Sequence, residues 1–216
     1  MKIVALEFSS SRRSVTVLDG QTLLAEQTEA AGQDVPPLRL VEQALATTKV
    51  EREQIDCLAV GLGPGSYTGI RGAIALAQGW QLATGVKLAG ISSAECIAAQ
   101  AQAEKVFGTI GVVIDAQRGE YYFAKYEISQ NSLKISEKLK IVTLTECESS
   151  KKSCDFVIGP DEHCEFKVGR VIFPGAAVLG RLAAGADFIS GDKLEPIYLR
   201  EVSFVKSPPT RIFPAA

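Results

Sequence analysis

The richest stretch for chemistry is Gly61-Leu62-Gly63-Pro64-Gly65-Ser66-Tyr67-Thr68-Gly69, where glycines alternate with hydroxyl and ring side chains. Glycine lets a backbone turn sharply and come close to a ligand. A helix beginning after such a turn presents free N–H groups and partial positive charge, which suit a phosphate. Gly63, Pro64, Gly65, Ser66, Tyr67, Thr68 and Gly69 are therefore candidate phosphate-facing residues. No Gly-Lys-Ser/Thr follows, so this is not a P-loop, and Gly63-Pro64-Gly65 breaks the dinucleotide spacing. A tight strand-to-helix turn capped by Ser66 or Thr68 accounts for the same residues.

Other groups offer less. His163 is the only histidine, which excludes any mechanism or metal site needing two. The five cysteines are scattered with no CxxC, so reduced thiols are expected. His163-Cys164 with Cys154 nearby lacks the regular four-ligand spacing of structural zinc, so no metal is expected. Asp115 stands before Gln117-Arg118-Gly119 and reads as a turn-capping residue, with a cleft-facing role as the alternative. Ser9, Ser10 and Ser11 before Arg12 and Arg13 read as a turn.

These residues must be held by a folded scaffold, and the composition supplies one. In 216 residues, 46% are apolar and 22% charged, which excludes disordered, collagen-like and coiled-coil chains. With 23 Lys+Arg against 25 Asp+Glu, the net charge of −2 argues against broad electrostatic binding of nucleic acid. No run approaches the ~20 apolar residues that span a bilayer, and the opening lacks the form of a signal peptide. A cytoplasmic protein without a membrane partner is expected.

Residues 2–8 read as a buried strand, and Asp19-Gly20 joins two further β-prone runs as a hairpin. Pro36-Pro37 introduces a helix over 37–48, 57–63 is a strand, 69–83 a helix, and 92–105 a helix capped by Ser92 or Ser93. The second half repeats the order: strands at 109–116, 120–128 and 133–144, a loop around 149–153, a strand at 154–160 and a helix at 175–186. Residues 195–200 either close the sheet or cap the fold. This suggests an internal duplication with a boundary near 105–109. The expected units are 1–107, a smaller lobe over 108–204, and an extended tail at 205–216.

The helix at 69–83 is apolar nearly all round, so a second face must be covered, by a partner rather than by so short a chain. Helical spacing puts Ile70, Ile74, Ala77 and Gln81 on one stripe. Leu38, Val41 and Leu45 form the comparable stripe on the first helix. Together they are the candidate partner interface.

GLGPGSYTGIRGAIALAQGW resembles the signature GPGSFTGLRIGLATAKGLA of the TsaB family of tRNA threonylcarbamoyladenosine biosynthesis proteins. IDAQRGEYYFAKYE is similar to that family's IDARRGEVYxAxY, and LEPIYLR to its PVYLR. The resemblance spans the chain in the right order. It implies an α/β fold of two RNase H-like halves, as in the actin, Hsp70 and sugar-kinase ATPase superfamily, with the second half reduced. It also implies pairing through the two helices, with another copy when the protein is alone or with TsaD.

The implied function is a non-catalytic scaffold that dimerises with TsaD, the subunit that transfers threonylcarbamoyl to adenosine 37 of tRNA. The ATPase TsaE joins the complex, and tRNA is met within it. Where the family opens ILAIDTS, this chain has Val4-Ala5-Leu6-Glu7-Phe8-Ser9. Glu7 stands for the Asp that helps hold the metal in active ATPases of the superfamily, and Phe8 replaces a hydroxyl. The substitutions argue against ATP or ADP binding, and no cofactor is expected to be required. The two histidines of TsaD's metal-binding H-x-x-x-H fall on Ser93 and Ile97. The competing reading is an independent ATP-dependent small-molecule kinase or a peptidase-like enzyme.

Overall fold

A computed structural model describes residues 1–29, 35–160 and 165–200; the expectations for His163, Cys164 and the 205–216 tail lie outside these described residues. β1 (Lys2–Glu7) is buried at every position after Lys2, as a central strand covered on both faces must be. β2 (Ser14–Asp19) and β3 (Thr22–Thr28) form the hairpin, with Gly20 at φ +59°. Glycine takes that left-handed conformation without strain. Pro37 opens α1 (Pro37–Thr48), where its missing N–H costs no helical bond. β4 (Cys57–Gly61), α2 (Tyr67–Thr84), β5 (Lys87–Ile91) and α3 (Ser93–Ala103) follow. β5 was not legible as a strand, because five residues including Gly90 carry no alternation.

The second series is β6 (Gly108–Asp115), β7 (Glu120–Ser129), β8 (Ser132–Thr143), α4 (Leu144–Lys151), β9 (Phe156–Gly159), β10 (Arg170–Val171) and α5 (Ala176–Ala183). The loop expected around 149–153 is mostly helix. Thr143 and Glu146 make a reciprocal capping box that starts α4. Residues 195–200 add no strand; they cap the fold, with Ile197 N donating to Leu62 O at 2.9 Å.

The sheet orders are β3-β2-β1-β4-β5 and β10-β9-β6-β7-β8. Taking β6 as the counterpart of β1, the two orders coincide. So do the senses: the first three strands of each series pair antiparallel, and the fourth and fifth run parallel to the first. The chain is two RNase H-like halves, as expected. The second is reduced, its fifth strand having only two residues.

The halves exchange helices. α1 and α2 cover one face of the first sheet through Val41, Ala44, Ile70, Ala73 and Ala77. The other face is covered by α5 from the second half, where Ala176, Leu179 and Ala183 meet Ile3, Ala5, Leu18 and Ala59. Conversely, α3 from the first half packs Ala94, Ile97, Ala98 and Ala101 on the second sheet, against Ile110, Val112 and Tyr126. α4 covers the opposite side through Cys147, beside Phe123 and Phe166. Close approach of α5 depends on Gly180, where a Cβ would lie 2.1 Å from Leu18 Cδ1 and 3.2 Å from Ala5 Cβ. Gly180→Leu should lower the unfolding free energy by about 2–3 kcal/mol through overpacking. Denaturant midpoints measure it, and an unchanged midpoint would contradict the contact.

Candidate functional site

The end of β1 carries a carboxylate where water cannot reach it. Glu7 is 0% exposed, and its oxygens accept hydrogen bonds from Ser9 N at 2.8 Å and from Ser93 Oγ at 3.1 and 3.3 Å. Ser93 Oγ in turn accepts from Gly63 N at 3.1 Å, and Ser93 N donates to Gly63 O at 2.8 Å. One acid therefore ties the β1 exit, the glycine loop and the start of α3. Gly61 makes room for it, since a Cβ there would sit 2.1 Å from Glu7 Oε2. Burial pushes the Glu7 carboxyl above its ordinary value, opposed by the bonds from Ser9 and Ser93. Cys96 nearby is also fully buried; desolvation foremost, and then the Glu7 charge, raise its thiol well above the usual range. That disfavours the nucleophilic thiolate.

Ser93, which the resemblance set against a metal-binding histidine, is thus spent on this network. Ile97, the other residue so set, is buried in the core. Among the described residues, no group of three or more His, Cys, Asp or Glu could hold a metal ion. Of the two expected caps, Ser92 is the N-cap residue, with extended backbone and no side-chain capping bond, and Ser93 is the first helical residue.

The glycine loop closes on the chain itself. A Cβ on Gly65 (φ +147°) would lie 2.1 Å from Ser9 O, and one on Gly69 2.1 Å from Phe8 O. Ser66 N donates to Ser9 O at 2.6 Å. The close approach that glycine permits is used by the β1 exit. Gly63, Pro64 and Gly69 are buried, whereas Gly65, Ser66, Tyr67 and Thr68 are exposed. Ser66 rather than Thr68 is the helix cap, its Oγ accepting from Gly69 N at 3.3 Å.

A cleft of about 430 Å³ lies between the lobes, with Ser9, Ser66 and Tyr67 on one side and Asp115, Ala116 and Gln117 on the other. Asp115 serves both readings. It lines the cleft, and it accepts from Gln117 N at 2.7 Å and Gln117 Nε2 at 2.9 Å.

The helical stripes are placed differently from expectation. Ile70, Ile74 and Ala77 on α2, and Val41 and Leu45 on α1, face the sheet and are buried in the chain's own core. Gln81 is tied to a short 3₁₀ turn, accepting from Gly191 N at 2.9 Å. Of the expected interface residues, only Leu38 is strongly exposed, at 50%. Spacing defines the stripes of a helix but not which of them meets the sheet. Exposed Leu38, Ala83 and Thr84, with Leu76 and Trp80 half-buried at the margin of the core, instead line a groove of about 350 Å³ between α1 and α2. Trp80 was the signal available in the sequence: the single tryptophan of the chain falls on this helix.

Ile74→Asp should therefore unfold the chain or destabilise it by about 3–5 kcal/mol, because it buries an unpaired carboxylate. Thermal melts check this. Glu7 gives a second expectation. With its folded pKa raised, the native state holds a proton that the unfolded state has released. Its contribution to stability should therefore fall as pH rises from the ordinary 4.5 to the folded value, then level off. Glu7→Gln should lack this component, so the stability difference between variant and parent should change across that range and be flat beyond it. Denaturant titrations at several pH values measure the difference.

Residues 37–156, more than half of the chain, match the family described as TsaD: tRNA N6-adenosine threonylcarbamoyltransferase. The tRNA threonylcarbamoyladenosine biosynthesis protein TsaB of Escherichia coli strain K12 is 26% identical over 234 residues, covering 96% of this chain and 99% of that protein. The TsaB of Bacillus subtilis strain 168 is 27% identical over 135 residues, 62% of this chain and 58% of that one. The structure of YeaZ from Pseudomonas aeruginosa shares the fold, with a TM-score of 0.74 at 22% identity, over 92% of this chain and 99% of that chain. With the matched fold and the three sequence blocks in order, the chain belongs to the TsaB family, within the wider family described for TsaD.

Proposed function

We propose that this protein takes part in tRNA N6-threonylcarbamoyladenosine synthesis as a non-catalytic subunit that docks on and supports a TsaD-type catalytic subunit. The observation that carries this reading is the apolar outer face of α1 and α2. Leu38 is half exposed, and Leu76, Trp80 and Ala83 continue the strip across the groove. An aromatic set in an apolar groove between polar margins, here Arg52, Glu53 and Thr84, is the usual centre of a protein interface. In this reading TsaE joins the assembled complex, tRNA is met there, and the isolated chain can pair with a second copy through the same face.

The kinase or peptidase alternative gains no support from the geometry of Glu7, which turns into the interior towards Ser93. The proposed role requires no cofactor and no ATP or ADP. Reconstitution of the modification with TsaD, TsaE and a TsaC-type enzyme, with and without this chain, tests the role: no loss of product on omission refutes it. Strong ATP hydrolysis by the isolated chain, abolished by Glu7→Ala, would favour the kinase reading instead.

The docking face has its own test. The double variant Leu38→Asp with Ala83→Asp changes exposed positions and should keep the parent's melting temperature within a few degrees. Its affinity for TsaD should drop by about 30-fold or more, the effect of losing a hot spot. Calorimetry or pull-down gives the answer, and unchanged binding would place the interface elsewhere.

A further inference from the structure

The three sequence blocks that carry the family resemblance meet at the mouth of the interlobe cleft, and the last of them holds both sides. On the first lobe, Ile197 N donates to Leu62 O at 2.9 Å. One residue on, Tyr198 Oη accepts from Arg71 Nε at 2.9 Å, and its ring centroid lies 6.2 Å from that of Tyr67. The Arg71 guanidinium sits 4.4 Å over the Tyr67 ring and 5.9 Å from that of Tyr198. Two residues later the chain grips the other lobe. Arg200 Nη2 donates to Ala116 O at 2.8 Å, Gln117 O at 3.3 Å and Glu120 Oε2 at 2.6 Å.

The gripped segment is the β6–β7 turn, and Ala116 and Gln117 line the cleft. Its backbone is unusual: Gln117, Arg118 and Gly119 have φ of 64°, 62° and 74°. Two consecutive non-glycine residues in the left-handed region persist only where their surroundings hold them. The turn's own bonds, Ala116 N to Glu120 O at 3.0 Å and Glu120 N to Gln117 O at 3.3 Å, give part of that hold; Arg200 adds to it through the carbonyls of 116 and 117, and Asp115 through Gln117 N. The Arg200–Glu120 pair is partly exposed, with side chains 34% and 41% accessible. Such a contact is weak enough to break reversibly.

We propose that residues 197–200 form a clasp across the interlobe cleft. Its first-lobe anchor is the Tyr67–Arg71–Tyr198 stack, and its second-lobe hook is Arg200 on the strained β6–β7 turn. Release of the hook relaxes the turn and lets the cleft open. The clasp makes lobe separation and turn conformation one coupled motion, which is how a two-state element works. It stands on these contacts alone and does not depend on the docking role proposed above.

The test uses the full chain with spin labels at positions 82 and 138, one on each lobe, and with Cys154 and Cys164 replaced by serine. Arg200→Ala should broaden and lengthen the interlobe distance distribution. It should also speed amide exchange at 116–120 by about tenfold or more, with exchange in β1 and β4 unchanged. Arg71→Ala, which loosens only the anchor, should broaden the distance while leaving exchange at 116–120 slow. Glu120→Gln keeps an acceptor and serves where Arg200→Ala does not fold; it should shift both readouts in the same direction by about twofold. Faster turn exchange with an unchanged distance distribution overturns the proposal, because Arg200 would then be only a turn cap. Uniformly faster exchange throughout Arg200→Ala and Glu120→Gln also overturns it, because the contact would then be general packing.

Discussion

The buried carboxyl group of Glu7 is the polar centre around which the first lobe is arranged. A fully buried acid must have its lone pairs satisfied, and here Ser9 N and Ser93 Oγ do so. Ser93 can donate to Glu7 and still receive Gly63 N, so the acid sets the distance between β1, the glycine loop and α3. Gly61 has no side chain because the acid occupies that space, and Gly65 and Gly69 have none because the β1 exit does. A loop whose composition suits phosphate therefore serves as a joint between chain segments. The same glycine chemistry operates, with a backbone carbonyl in place of the ligand.

That joint bears on the relation between the lobes. α3 starts at Ser93, in the Glu7 network, and then runs onto the second sheet. α5 returns from the second series to cover the first sheet, and Ser14 Oγ accepts from Ala176 N at 3.0 Å where it arrives. Each sheet thus gets one apolar face covered by a helix from the other half of the chain. Neither half could bury its sheet alone, so the hydrophobic effect that stabilises each sheet also joins the two. The Tyr198 and Arg200 contacts join them a second time, at the cleft mouth.

The outer face of α1 and α2 follows from how the inner face is used. Ala73 and Ala77 let α2 sit close to the sheet, and Ile70 and Ile74 fill the space beside them. What remains partly open beside that core is Leu76, Trp80 and Ala83, with Leu38 across the groove. Leu82, 91% exposed, adds an isolated apolar side chain at the helix end. A second apolar face on a helix already packed against a sheet is the feature a partner would use.

Much of this was legible in the residues alone. β1, the Asp19-Gly20 hairpin, α1 from Pro37 and the repeated strand order all have local causes: strand periodicity, a left-handed glycine and a proline at a helix start. The same local pattern repeated along the chain declared the duplication, and Ser66 was readable as a cap. β5, β10 and α4 were not legible, being too short for periodicity to show. Nor was the direction of the α2 stripes: an all-apolar helix looks the same from every side until a sheet lies against it. The fates of Glu7, Ser93 and Gly65 were likewise set by partners 86 residues away for Glu7 and Ser93 and by a carbonyl across the joint for Gly65. Local sequence determines which backbone shapes are available; which side chain a buried acid meets depends on where distant segments are brought together, and only tertiary packing decides that.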